Sequence, residues 1–220
     1  MASATGRKGQ DGGLALRLEL EQGRGAPRAR VLAGPAELAP GVRLASLVGE
    51  PVGPASELGG AWRVLEARLE IAAEALARAV EVLVGREVAG WRIGQVALDL
   101  GGDAAVLTLT GPADAGWPAV VQIELAARIE GAGVRVSPRR VWATGPLAPA
   151  AGDLCARIAS RLADGSGVVA VAGGVWIDPG AALRRAVVRS GGRAPRTDGV
   201  VPARVRVEGP GVRVQLVRQD

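Results

Sequence analysis

The sequence predicts an α+β fold in which a mainly antiparallel sheet packs against two or three helices. Short runs of alternating apolar and polar residues recur along the chain, the clearest being "AVVQIELAARI" at 119–129. Such alternation is typical of a strand with one buried face. Glycine-containing turns join several neighbouring runs, which favours hairpins and therefore antiparallel pairing. A few other segments space their apolar residues as a helix does.

The composition indicates a folded chain with an unusual choice of core residues. Its 220 residues suffice for one sizeable domain or two small ones, and 48% hydrophobic with 22% charged residues is ordinary for a globular protein. Five Trp are present but no His, Phe or Tyr, so the core must be built from Val, Leu, Ala and Ile. The net charge of +5 mildly favours acidic partners, whether lipid headgroups or nucleic acid, but the cations are spread along the chain, which favours an inert basic surface.

The first 60 residues are predicted to form a tail and then an extension with short strands. Residues 1–13 are expected to be a disordered tail. "LALRLEL" at 14–20 alternates cleanly and predicts a half-buried strand. Residues 23–60 are rich in Gly and Pro without a sustained period, which predicts an irregular segment with one or two short strands. The predicted organisation is therefore an N-terminal extension over 14–60 and a main domain over 61–220.

The segment 61–85 changes its period part-way along. Its first half fits both a strand and a helix, whereas its second half spaces Leu76, Val80 and Leu83 as a helix does. We expect a strand through about Ile71 and a helix from there to about residue 84, with Gly85 as its C-cap.

Two hairpins are predicted next. The runs 94–100 and 104–110 flank "GGD", a hairpin turn signal. The long strand over 119–129 then turns at "EGAG" into a strand over 134–144, in which Pro138 indicates an edge or a bulge.

The last third of the chain is predicted to alternate helices and strands. A helix over 149–165 carries the apolar stripe Leu154, Ile158 and Leu162, and the run 167–177 predicts one strand that is apolar on both faces. Asp178 and Pro179 suit the N-cap and first position of a short helix, which makes Asp178 a structural residue rather than a catalytic one. The runs 203–207 and 212–217 predict a terminal hairpin.

The residue types exclude most familiar catalytic arrangements. Without His, neither a Ser–His–Asp nor a Cys–His arrangement can form, and metal sites based on His or several Cys are excluded. The glycines near 165–174 lack the lysine of a phosphate-binding loop. Cys155 has no intramolecular disulfide partner and is expected to be a small buried side chain. We therefore predict a non-enzymatic protein with no cofactor and no metal site. Nucleic acid is not expected as a partner, because Trp is the only aromatic residue available for base stacking and no known nucleic-acid-binding motif occurs.

The order of predicted elements over 61–217 resembles the LmeA-type family of bacterial lipid-binding proteins, within the TULIP superfamily of tubular lipid-binding domains. The stretches that carry the resemblance are "ARLEIAAEALARAVEVL", the "GVRV" strand openings at 133–136 and 211–214, "AAGDLCARIASRLA" and "WIDPGAALRRAVV". The resemblance implies a strongly curved antiparallel sheet wrapped on the helices, a half-barrel with an apolar lumen. The lining would be drawn from Leu76, Val80, Leu83, Ile123, Leu125, Ile158 and Leu162.

The function expected from this resemblance is the binding of lipid or another hydrophobic ligand in an apolar groove. The alternative is a structural or adaptor domain of similar fold, in which the same side chains form a filled core and the partner is a protein. No secretory signal or membrane-length apolar run is visible, so we expect a soluble, cytoplasmic protein that is still compatible with peripheral membrane contact. A secreted chain that had lost its signal would look the same.

Overall fold

The fold was analysed in a computed structural model that describes residues 16–21, 28–52, 61–84, 87–88, 91–101, 104–111, 119–144, 151–163, 167–189, 193–208 and 210–219. The strands in this part of the chain are β1 (Leu16–Glu21), β2 (Arg28–Ala33), β3 (Ala36–Ala39), β4 (Val42–Val52), β5 (Ala61–Ala72), β6 (Glu87–Val88), β7 (Trp91–Arg92), β8 (Gln95–Gly101), β9 (Ala104–Thr110), β10 (Val120–Glu130), β11 (Gly133–Ala143), β12 (Val168–Val171), β13 (Gly174–Ile177), β14 (Val200–Glu208) and β15 (Gly211–Arg218). The helices are α1 (Ala73–Val84), α2 (Ala151–Ala163) and α3 (Pro179–Arg189).

The described strands form two large sheets and one small ribbon. The seven-stranded sheet has the order β1-β2-β4-β5-β15-β14, with β3 added beside β4. The six-stranded sheet has the order β12-β13-β11-β10-β9-β8, and all of its pairings are antiparallel. The ribbon is formed by β6 and β7. A mainly antiparallel architecture with helices, as the alternating runs predict, is thereby confirmed.

The chain divides into two compact units. The first comprises residues 1–70, 179–204 and 213–220, and the second comprises residues 71–178 and 205–212. In the first unit, α3 buries Leu183 and Val187 and packs against β3. The second unit contains the six-stranded sheet, the β6–β7 ribbon, α1 and α2. Here α1 packs against β8 and α2, while α2 also packs against β11, β12 and β13. The predicted division at residue 60 stays a prediction.

The change of period near residue 71 is confirmed: β5 ends at Ala72 and α1 begins at Ala73. The predicted hairpin of 94–100 with 104–110 is confirmed as β8–β9, and Gly131 turns β10 into β11 with a φ of 58°. Pro179 is the first residue of α3, as predicted. The N-terminal tail, Gly85 and the turn residues 102–103 lie outside the described residues.

Two strand predictions were wrong. Residues 23–60 contain β2, β3 and the 11-residue β4 instead of one or two short strands. A side chain at Gly49 of β4 would place its Cβ 2.6 Å from the carbonyl oxygen of Arg63, so this glycine allows a close approach of two backbones and does not end the strand. The run 167–177 is a hairpin rather than one strand, because Gly173 adopts a φ of 73° and reverses the chain between β12 and β13.

Candidate functional site

One face of the six-stranded sheet carries three continuous apolar rows, and we call it the inner face. Side chains directly opposite each other on neighbouring strands share a face, so the register defines these rows. From β8 to β11 they are Val96–Leu109–Val121–Ala143, Leu98–Leu107–Ile123–Val141 and Leu100–Ala105–Leu125–Pro138. Because apolar and polar residues alternate along β9 and β10, the Leu, Val and Ile side chains in these rows lie on the same face of the sheet.

Helix α2 covers the centre of the inner face. Leu154 and Ile158, one helical turn apart, pack with Leu109, Val121 and Ile123 in one buried cluster. Leu154 is only 1% exposed. Asp153, Arg157 and Arg161 of the same helix are exposed. The centre of the cluster is therefore closed to solvent.

The inner face is more open towards α1 and β8. Val80 of α1 and Val96 and Leu98 of β8 pack against the cluster but are each only half-buried. Leu76 precedes Val80 by one turn on the same helix face and is also half-buried. We call these four residues the α1–β8 seam. Along the inner face, apolar burial therefore falls from complete beneath α2 to partial at the seam.

A β-bulge shapes the opposite margin of the inner face. On β11, Arg139 is an extra residue between Arg140, which pairs with Glu124, and Pro138, which pairs with Leu125. The Arg139 guanidinium lies 3.4 Å from the Glu124 carboxylate, whose side chain is only 15% exposed. The prediction that Pro138 marks an edge or a bulge is confirmed, since a bulge accommodates the missing N–H and bends the strand locally.

The outer face of the same sheet carries more polar side chains than the inner face. One row across it consists of Ala97, Thr108, Gln122 and Trp142. Trp142 is 46% exposed, and the backbone N–H of Val120 donates to the Thr144 Oγ1 at 3.1 Å. Solvated polar side chains on this face and aliphatic ones on the other give the sheet a single apolar side.

The structure brings together four of the seven side chains predicted to line a groove: Val80, Ile123, Leu125 and Ile158 belong to one apolar cluster. Leu76 lies on α1 beside them, whereas the side chains of Leu83 and Leu162 lie outside the described residues. Sequence reasoning did not assign Leu107 and Leu109 to the lining. The alternation in "AAVLTLT" was the available signal, but only the register shows that it continues the rows of β10.

The electrostatics of the cluster are those of an apolar site. No polar or charged side chain is fully buried among the described residues, and no three His, Cys, Asp or Glu side chains there lie close enough to hold a metal ion. Cys155 packs against the cluster, and burial raises the pKa of its thiol above the ordinary value, so the thiol stays protonated at neutral pH. The arrangement can bury hydrocarbon but presents no charge to it.

None of the described helices combines the length and apolar character needed to cross a membrane. No family model, curated protein or solved structure matches the chain.

Proposed function

We propose that this protein is a non-enzymatic binding module for lipid or another hydrophobic ligand, and that the ligand lies along the α1–β8 seam. The observation that carries the proposal is the gradient of burial on the inner face. Leu109 and Val121 are fully buried, whereas Val80, Val96 and Leu98 pack against the same apolar surface and are only partly buried. A continuous aliphatic surface of this kind gains free energy when it is covered.

Aliphatic burial supplies enough free energy for such binding. Each methylene group transferred from water to an apolar surface contributes about 0.8 kcal/mol, which is roughly a fourfold gain in affinity. The seam offers only Leu and Val side chains, so it would select for hydrocarbon and not for a particular polar headgroup. Affinity should therefore rise with acyl chain length until the seam is filled.

The test compares Val80→Trp with Val82→Trp. Both substitutions introduce the same large side chain on α1, but Val80 packs against the cluster whereas Val82 is 75% exposed. Native mass spectrometry of protein freshly purified from cells should show a bound acyl compound in the wild type and in Val82→Trp, and none in Val80→Trp. Titration with fatty acids of increasing length should give about a fourfold gain per methylene in the wild type.

Three results would contradict the proposal. The first is a wild-type protein that carries no extractable lipid and shows no dependence on chain length. The second is equal uptake by the two Trp variants, which would place the ligand elsewhere. The third is loss of uptake in Val82→Trp alone. Circular dichroism of both variants would show whether each is folded, so that a loss of ligand uptake can be distinguished from unfolding.

A protein-binding adaptor is the second candidate, and one observation favours it. On β11 the described pairing with β13 ends at Val136, and Pro138, Arg139, Arg140 and Trp142 beyond that point are exposed. A strand edge without a neighbour can accept a strand from another protein. In that case the protein would be purified free of lipid, and Trp142→Ala would abolish capture of a defined protein partner while leaving the fold intact.

We also propose that the sheet is strongly curved around its helices, as in the LmeA-type and TULIP domains that the sequence resembles, and that the protein acts in the cytoplasm. The bulge at Arg139 supports the first point, because bulges increase local bending and twist. An experimental structure with a fatty acid bound would test the curvature. Fractionation of the source cells would test the location.

A further inference from the structure

Helix α3 presents a basic face, and no described carboxylate forms an ion pair with its Arg184 or Arg189. The helix buries Leu183 and Val187, and its opposite side carries Arg184, Arg185 and Arg189. At 100° per residue these three arginines fall within one side of the helix, and the α3 sequence contains no acidic residue. We call this side, which also includes Val188, the α3 basic face.

The arginines of this face differ from those on the strands of the same unit. On the strands, Arg43 and Arg213 lie 3.7 and 3.1 Å from the Glu70 carboxylate. Among the described residues, neither Arg184 nor Arg189 has such a carboxylate partner, and the Arg185 Nε donates to the carbonyl oxygen of Ala181 at 3.3 Å. On the strands, Arg43 and Arg213 thus share a carboxylate partner, whereas Arg184 and Arg189 of α3 have none among the described residues.

An exposed apolar side chain lies among these cations. Val188 is 49% exposed and follows Arg184 by one helical turn, so the two side chains are neighbours on the helix surface. The chain then continues to Arg193, which is exposed and whose Cα can be at most about 14 Å from that of Arg189. The face thus combines guanidinium groups with an aliphatic contact.

We propose that the α3 basic face docks the protein onto an anionic phospholipid surface. Guanidinium groups pair with phosphate oxygens in bidentate geometry, and each basic side chain near an anionic leaflet adds to membrane attraction. Val188 favours a lipid surface over nucleic acid, since an aliphatic side chain can enter the interfacial region but gains little against a phosphate backbone. This inference concerns a different unit from the seam and does not depend on it.

The test measures sedimentation of the full-length protein with vesicles. We expect binding to vesicles of phosphatidylcholine with about 30% phosphatidylglycerol, weak binding to phosphatidylcholine alone, and release as salt shortens the Debye length below about 10 Å. Arg184→Gln/Arg189→Gln should weaken partitioning about 30-fold, which corresponds to about 1 kcal/mol for each arginine. Val188→Ser should weaken it about threefold to tenfold, an effect that purely electrostatic contact would not give.

The matched control is Arg157→Gln/Arg161→Gln, which removes two exposed arginines from α2 and lowers the net charge equally. This control should bind within about threefold of the wild type, because its charges belong to α2 and not to α3. An equal loss in both double variants would overturn the proposal in favour of diffuse charge attraction. Release of the bound protein from the vesicles by duplex DNA at equal phosphate concentration would also overturn the proposal.

The Val80→Trp variant distinguishes vesicle binding through α3 from ligand binding at the seam. Vesicle binding should survive that substitution, since Val80 belongs to the seam and not to α3. Loss of vesicle binding in Val80→Trp with retention in Arg184→Gln/Arg189→Gln would place the membrane contact at the seam and refute docking through α3.

Discussion

Replacing Leu154 by alanine should measure how tightly the centre of the inner face is packed. Leu154 is 1% exposed and contacts the cluster formed by Leu107, Leu109, Val121, Ile123 and Ile158. The substitution removes the equivalent of three buried carbon groups, worth about 2.4 kcal/mol of transfer free energy. The cavity left beneath α2 adds to this loss, so the free energy of unfolding should fall by about 3–5 kcal/mol.

The same chemical change at Leu98 is the informative comparison. Leu98 packs against the cluster from β8 but is only partly buried, so Leu98→Ala should lower the free energy of unfolding by about 1.5–2 kcal/mol. Urea unfolding followed by tryptophan fluorescence would give both values, provided that the dependence on urea concentration is unchanged. Equal losses at the two positions would mean that β8 is packed as tightly as the centre. That result would refute an accessible seam and favour the filled core.

Two further predictions concern a glycine and the cysteine. Gly133→Ala should lower the free energy of unfolding by about 1–3 kcal/mol, because its Cβ would collide with the Trp176 ring and lie 2.6 Å from the Ile177 carbonyl oxygen. Gly152→Ala on α2 is the control in the same urea titration. The space around Gly152 is open, so this substitution should not destabilise the protein. Cys155 should react with iodoacetamide more slowly in the native than in the unfolded protein, and more slowly still with ligand bound, because burial raises its thiol pKa. As pH rises, the thiol of the unfolded chain loses its proton before that of the native protein, so the free energy of unfolding should fall once pH passes the ordinary thiol pKa. Thermal unfolding at increasing alkaline pH would measure this fall. A free energy of unfolding that rises in this pH range would contradict a raised Cys155 pKa.

The parts of the fold that were predictable are those in which one period persists over a whole element. The β8–β9 hairpin, β10 and α2 each keep a single spacing, and their bounds differ from the predicted ones by at most two residues at each end. At β5 the signal is a change of period, and the change itself locates the start of α1 at Ala73. Local propensity and burial agree in these segments, so the sequence alone is sufficient.

The parts that were not predictable depend on contacts between segments distant in sequence. β4 contains Gly49 and Pro51, which usually interrupt strands, yet Gly49 belongs to the strand because the Arg63 backbone lies against it. The β12–β13 hairpin did have a local signal, the Ala172–Gly173 turn within an apolar run, but the run by itself fits one covered strand equally well. The gradient of burial along the inner face follows from how α1 and α2 pack, which no local period encodes.

The placement of the tryptophans explains why the inner face is aliphatic. In a chain without Phe or Tyr, Trp is the only large aromatic ring, and two of the rings lie over glycines of the sheets: Trp62 against Gly49, and Trp176 against Gly133. A glycine leaves room above a strand that such a ring fills, which stabilises an otherwise weak strand position. Trp142 lies on the polar outer face, and Trp91 packs at the margin of the cluster. None of these four rings belongs to the three rows of the inner face, which consist of Leu, Val, Ile and Ala with Pro138 at the bulge. Because these side chains are small, the extent to which α1 closes over β8 determines whether the rows form a solid core or a surface that a hydrocarbon chain can cover.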